Sequence, residues 1–342
     1  MLGVGVGRVG RLSPSGQVNE TSPNGVNGRV TMPGADNPVR PGVSLDDGPR
    51  PMNTIQLLQA LLLGCVEGLT EFLPVSSTGH LTIAEKLLGL KVDDAAVTAY
   101  TAVIQLGAIA ATLLYFFRDI VRLLTAWVGG LASRERRADH DYQLAWAVIA
   151  GSIPVGIVGF LGRHAITGGL RSLWVVALAL ILWSAVMWAA ERRHAVLAGG
   201  RSERESGGRL RGEGQVQLMD GIVIGLVQCV SLIPGVSRSG ATISAGLFRG
   251  LDRITATRLS FFLAIPALTA AGLYELKDID LSVVGAGPLV LGVVIAFAVA
   301  YATIAWLLRF VAGHPITTFV WYRVALGLVV IVLLVTKVLS AT

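Results

Sequence analysis

From Thr54 onward, apolar residues recur in runs of about 20 separated by short polar loops, and a helical run of that length crosses roughly 30 Å of hydrocarbon. Full spans are predicted at about 97–117, 143–162, 172–190, 258–275, 286–308 and 318–338. Two other apolar stretches are interrupted. The first is apolar from Thr54 to Leu73, breaks at Pro74-Val-Ser-Ser-Thr-Gly79, and resumes as a short helix to about Leu90. The second breaks in the same way within 218–250. Pieces this short cannot each cross a bilayer, so both pairs read as re-entrant hairpins, which survive at membrane depth only where protein covers them or they line a watery cavity. The strict alternation of a membrane barrel strand is absent. The expected fold class is all-α, a polytopic helical membrane protein with six full spans and two re-entrant helix hairpins.

The two interrupted stretches divide the chain into repeats. A shift of 161 positions places Gly64 on Gly225, Glu67 on Gln228, Thr70 on Ser231, Ser76 on Ser237, Gly79 on Gly240 and Pro154 on Pro315. Three full spans per half is an odd number, so the second half enters from the opposite side, giving inverted-topology repeats. The expected organisation is a first repeat at 52–190 with hairpin 54–90, a cytoplasmic loop at 191–217, and a second repeat at 218–342 with hairpin 218–250. Residues 1–51, rich in Gly, Pro, Asn and Ser, cannot bury enough apolar surface to fold alone and read as a disordered tail. Met52 stands just before the first apolar run, so translation is expected to start there.

Composition narrows the function classes. Hydrophobic residues make up 53% of the 342 and charged residues only 15%, which excludes a cytosolic enzyme and a secreted domain. The net charge of +6 carries no nucleic-acid motif, so nucleic acid is not expected as a partner. The basic residues instead fall in loops. Arg118, Arg122, Arg134, Arg136 and Arg137 lie on the same side as the run from Arg192 to Arg211, and that side should be cytoplasmic. The opening of the first hairpin then faces outward. The arginines of the tail, Arg8, Arg11, Arg29, Arg40 and Arg50, oppose this assignment, and a start at Met52 removes most of the conflict. Cys65 and Cys229 lie in apolar surroundings without metal-type spacing and read as buried and inert.

The breaks carry the chemistry. The first reads Glu67-Gly-Leu-Thr-Glu71-Phe-Leu-Pro-Val-Ser76-Ser77-Thr78-Gly79-His80, a density of polar groups that is costly in a membrane and therefore points to function. Glu67 and Glu71 share a helix face, where they can hold a divalent cation or divide into an acid and a base. A helix starting near Ser77 aims free N–H groups and a positive dipole end at the break, which suits a phosphate. Ser76, Ser77 and Thr78 can equally serve as helix caps. Ser77 and His80 are three positions apart, close enough for the imidazole to activate a hydroxyl or to protonate a leaving oxygen.

The second break reads Pro234-Gly-Val-Ser237-Arg238-Ser239-Gly240-Ala-Thr242. Its arginine keeps its charge at any accessible pH and forms a forked site for a phosphate or pyrophosphate oxygen, or pairs with Glu67 or Glu71 across the repeat. A carboxylate pair, a hydroxyl nucleophile, an imidazole and an arginine, all facing an anion inside a membrane, suit phosphoryl transfer to water from a lipid phosphate.

These two motifs, over a match from about Thr54 to the C-terminus, strongly resemble the undecaprenyl-diphosphatase family, also called the bacitracin-resistance protein. The resemblance implies hydrolysis of a polyprenyl diphosphate lipid, undecaprenyl diphosphate, to the monophosphate at the outer face of the bacterial plasma membrane. This recycles the carrier lipid for peptidoglycan and confers bacitracin resistance. It implies a divalent cation, Mg2+ or Ca2+, and places the essential residues at Glu67, Glu71, Ser76, Ser77, His80, Ser237, Arg238, Ser239 and Thr242. The combined expectation gives catalytic roles to Glu67, Glu71, Ser77, His80 and Arg238, with the cation on the two glutamates. Ser76, Thr78, Ser237, Ser239 and Thr242 are expected to bind substrate. Ser77 is the first choice of nucleophile, with His80 and water as alternatives, and a homodimer is left open. The rival from another class is a transporter or flippase of polyprenyl phosphates, since inverted repeats with midplane breaks are also a transporter architecture. A membrane phosphatase of the Ser-Arg-x5-His type is disfavoured by Ser at position 244.

Overall fold

A computed structural model describes residues 54–90, 95–167, 170, 172–199, 210–275 and 286–340. The expected tail at 1–51 and start at Met52 lie outside the described residues. Every long element is helical: α1 Thr54–Thr70, α2 Ser77–Leu87, α3 Ala95–Tyr115, α4 Phe117–Ala132, α5 His140–Thr167, α6 Leu173–Gly199, α7 Leu218–Gln228, α8 Arg238–Phe248, α9 Arg253–Glu275, α10 Ala286–Gly313 and α11 Thr317–Val335. Six of these are long and apolar enough to cross a membrane: Val97–Tyr115, His140–Gly162, Leu173–Gly199, Arg253–Tyr274, Ala286–Gly313 and Thr317–Val335. Two shorter apolar helices, Gln56–Thr70 and Leu218–Leu232, lead into the breaks. Large apolar side chains such as Leu161, Leu182 and Trp321 stand exposed on the spans, an arrangement that suits hydrocarbon rather than water.

Each broken helix packs on a long helix of the other half, α1 on α10 and α7 on α5. Small residues make this possible, because without a strong hydrophobic drive in lipid, helices gain by close backbone approach. A Cβ added at Gly225 would collide with the Gly151 carbonyl of α5. Between the halves, α6 packs on both α8 and α11, and α9 packs on α3. Below the breaks lies an aromatic core in which Phe72 meets Phe261 edge-on at 5.3 Å and Phe116 meets Phe262 at 5.3 Å.

Three sequence expectations are revised. The stretch that includes Arg118 and Arg122 is helix α4 rather than loop. Its apolar side chains Phe117, Val121, Leu124, Val128 and Leu131 form one exposed stripe at helical spacing, while Leu123 and Gly130 are buried. At 16 residues it is too short to span, and its mixed polarity hid it from a search for apolar runs. Second, Pro154 and Pro315 are not equivalent, since Pro154 lies inside α5 whereas Pro315 falls between α10 and α11. Helix α4, without a counterpart among the described residues of the second half, ends the validity of any fixed shift. Third, α6 does not stop near 190 but runs to Gly199. Its polar last turns hold because Glu191 pairs with Arg253 and accepts the Ile316 N–H at 3.1 Å, capping the approach to α11.

The basic segments do meet at one end of the bundle. Glu213, in the short turn before α7, accepts from Arg122 of α4 at 2.8 Å and from Arg258 of α9 at 2.5 Å. Burial alone would raise its carboxyl pKa, but the hydrogen bonds from Arg122 and Arg258 outweigh burial and hold it below the usual 4.5. A depressed carboxyl stabilises the fold above its unfolded pKa, and the contribution disappears as pH falls through the lower folded value. Glu213→Gln is therefore expected to lower the melting temperature of the detergent-solubilised protein at neutral pH, with the difference from the parent closing only well below pH 4.5. An acid-independent difference would show that the contact acts through packing rather than charge.

Candidate active site

After α1 the Glu71 N–H still donates to the Glu67 carbonyl at 2.9 Å, so the two glutamates remain one helical turn apart. Pro74 then ends the helix, and Ser76 takes φ 78°, a region costly for a residue with a Cβ. Its Oγ accepts the Gly79 N–H at 3.3 Å, which caps α2. The second break repeats this geometry. Ser237 has φ 77° and its Oγ accepts the Gly240 N–H at 3.1 Å, capping α8. Two helix N-termini are thus held by strained serines, and strain of this kind, about 1–3 kcal/mol each, collects at functional sites.

The breaks are joined directly. Ser76 Oγ also accepts the Gly235 N–H at 3.2 Å, and Ser239 Oγ donates to the Leu73 carbonyl at 2.9 Å. Gly235 has φ +99°, and a Cβ there would press on the Val176 carbonyl at 2.5 Å, so both conformation and space require glycine. Across this junction Ser77 Oγ donates to Glu71 Oε2 at 2.6 Å, while Arg238 donates to Glu71 Oε1 at 3.1 Å and to the Ser260 carbonyl at 3.2 Å. Hydroxyl, carboxylate and guanidinium therefore form one line contributed by both halves. Two buried polar atoms of the breaks have no protein partner: Arg238 Nε in this line, and Glu67 Oε1, one helical turn before Glu71 on a side chain that is 1% exposed. A buried acceptor and a buried donor left open are costly unless a ligand completes them.

The ring nitrogens of His80 are bonded to groups other than the Ser77 hydroxyl. Its Nδ1 is 2.7 Å from the Ser76 carbonyl and its Nε2 is 2.7 Å from the Tyr322 hydroxyl, with the two rings stacked at 5.6 Å. Since a carbonyl can only accept, Nδ1 carries the proton, and in the neutral ring Nε2 accepts from Tyr322. The hydroxyls expected to bind substrate are mostly engaged within the protein. Thr242, fully buried, donates to the Arg238 carbonyl at 2.8 Å and lies 2.6 Å from Ser260 Oγ, and Ser237 Oγ lies 3.1 Å from Ser239 Oγ. Thr78 is exposed in the first turn of α2. Among the described residues no group of three or more His, Cys, Asp or Glu is placed to hold a metal ion, so the protein offers a cation the two glutamates and little else.

Sequence reasoning missed Arg323. It is fully buried in α11, and it donates to Ser184 Oγ at 3.2 Å, to the Pro74 carbonyl at 3.1 Å, to the Gly235 carbonyl at 2.9 Å and to the Val236 carbonyl at 3.0 Å. The signal was a lone arginine inside an apolar run, which in a membrane marks a functional position by default.

The chain is similar to known proteins over most of its length. The family model described as Bacitracin resistance protein BacA matches residues 60–329. The Undecaprenyl-diphosphatase of Cutibacterium acnes is 53% identical over 294 residues, covering 83% of this chain and 99% of the relative. Undecaprenyl-diphosphatase 1 of Streptomyces avermitilis is 52% identical over 290 residues, covering 84% and 100%, and the Undecaprenyl-diphosphatase of a Mycobacterium species (strain KMS) is 48% identical over 289 residues, covering 83% and 99%.

Proposed function

The chain belongs to the bacitracin resistance protein family, to which its undecaprenyl-diphosphatase relatives also point, and from that premise we propose how its two breaks remove a phosphate from a lipid diphosphate. Its activity is dephosphorylation of undecaprenyl diphosphate, the step that returns the carrier lipid to peptidoglycan synthesis and underlies bacitracin resistance. The hydrogen-bonded line Ser77–Glu71–Arg238 carries the reading of the site, because a nucleophile, its base and the group that orients the base are what covalent catalysis requires.

The N–H groups at the starts of α2 and α8, with Arg238 Nε, receive the diphosphate oxygens. Ser77 Oγ attacks the terminal phosphorus and its proton passes to Glu71 Oε2. The bond from that phosphorus to the bridging oxygen breaks, and undecaprenyl phosphate leaves. Water then displaces Ser77 from phosphorus, Glu71 returns the proton to Oγ, and inorganic phosphate departs. Arg238 spreads the charge gathered on the equatorial oxygens, where most of the catalysis of phosphoryl transfer lies. His80 holds the Ser76 carbonyl and, through Tyr322, supplies a proton route at the edge of the site.

A divalent cation fits this donor set. Glu67, with its open buried oxygen, and Glu71 would hold it, and substrate phosphate oxygens would complete a coordination shell of the kind usual for Mg2+. When bound it would neutralise phosphate charge. The site is read as opening to the outer face of the plasma membrane, within inverted repeats whose broken segments are re-entrant, as basic loops at the opposite end and three spans in each half support.

The test is phosphate release from undecaprenyl diphosphate by the purified protein in detergent. Release is expected to stop on chelation and to return with Mg2+ or Ca2+. Full activity in chelator would remove the cation from the mechanism, and no release under any condition from folded protein would remove the phosphatase reading.

A further inference from the structure

Arg323 is a buried guanidinium whose four hydrogen bonds go to neutral acceptors. Three of these acceptors are backbone carbonyls of the two breaks, one in the first and two in the second. It has two consequences that no residue inside either break can supply. A carbonyl turned onto the guanidinium cannot face the site, and Gly235 is held on both sides: its N–H goes to Ser76 Oγ while its carbonyl goes to Arg323. The charge itself is also left without a counter-ion, because Arg238 takes Glu71 and no carboxylate bonds to Arg323 among the described residues. Arginine cannot lose its proton to relieve this. A buried positive charge behind two positive helix ends is costly when the site is empty and favourable when it holds a multiply charged anion.

We propose that Arg323 is a positioning residue for diphosphate hydrolysis: it locks the two breaks together by their carbonyls and sets behind them the positive charge that the substrate balances. The proposal rests on the diphosphatase reading above. It assigns Arg323 two separable contributions, geometry through its planar fork and binding through its charge.

Three variants separate these, with undecaprenyl diphosphate as the probe and melting of the detergent-solubilised protein as the fold control. Arg323→Lys keeps the charge but cannot span three carbonyls, so kcat is expected to fall about 10- to 100-fold with KM changed less than about 3-fold. Arg323→Met loses both, and KM is expected to rise about 10-fold in addition. Ser184→Ala leaves the charge and the carbonyl contacts in place and is expected to keep at least about half of the parent kcat. Wild-type kinetics in Arg323→Lys, equal KM values in the Lys and Met variants, or a loss in Ser184→Ala as large as in Arg323→Lys would each overturn the proposal. An Arg323→Lys protein that does not fold makes the residue a structural brace and overturns it as well. An inactive but folded parent protein would instead reject the diphosphatase reading, so the two failures are distinguishable.

Discussion

Arg238→Ala is expected to lower kcat/KM for phosphate release about 1000-fold and to cost about 3–5 kcal/mol of stability. The two losses have different origins. The first follows because Arg238 Nε is the open donor among the break residues and its charge is the one proposed to meet the reacting phosphate. The second follows because Glu71, 5% exposed, would be left buried with only the Ser77 hydroxyl to stabilise it. Arg238→Lys separates them. A lysine can restore a charge to Glu71 but cannot also reach the Ser260 carbonyl and leave a third donor free, so it should recover melting temperature more than activity. Steady-state kinetics beside thermal unfolding in detergent reads both quantities. A fully active Lys variant, or an Ala variant within about tenfold of the parent, would remove Arg238 from direct contact with phosphate.

Ser77→Ala and Glu71→Gln are each expected to reduce kcat about 1000-fold, and the double variant no further than the worse of the two. Their 2.6 Å hydrogen bond makes them one unit, since a nucleophile without its base and a base without its nucleophile fail at the same step. Independent roles would instead multiply, giving a double variant about a million-fold below the parent. A radiolabelled phosphate trapped on the parent protein during turnover and absent from Ser77→Ala would place the covalent bond on Ser77. Label retained in that variant would move it to His80.

The breaks were legible because membrane sequence is so apolar that two carboxylates, a run of hydroxyls and an arginine stand out against it, and helix-cap chemistry gives their serines a definite geometry. The contact between Ser77 and Glu71 was harder to foresee. Spacing pointed to His80 as the partner of Ser77, since three residues apart lie on one helix face, but α2 begins at Ser77, and the chain reversal at Pro74 brings Glu71 back over its first turn. Helix α4 escaped notice because an amphipathic helix has no long apolar run to find. Arg323 escaped notice for the opposite reason. The run around it is apolar enough to be assigned as a plain span, and its partners in sequence lie up to 249 positions away, beyond any local pattern.

Those separations bear on how the protein is made. The Gly235 N–H that holds Ser76 lies 159 positions later in the chain, and the guanidinium that holds the Pro74 carbonyl lies 249 positions later. A ribosome therefore delivers the first break into the membrane well before either partner exists, and Ser76 has no reason to adopt its strained backbone until they arrive. Catalytic competence is therefore expected only once α11 has entered the bundle. A chain that stalls before that helix is expected to leave an inert membrane protein rather than a half-built hydrolase in contact with the cell's lipid carrier.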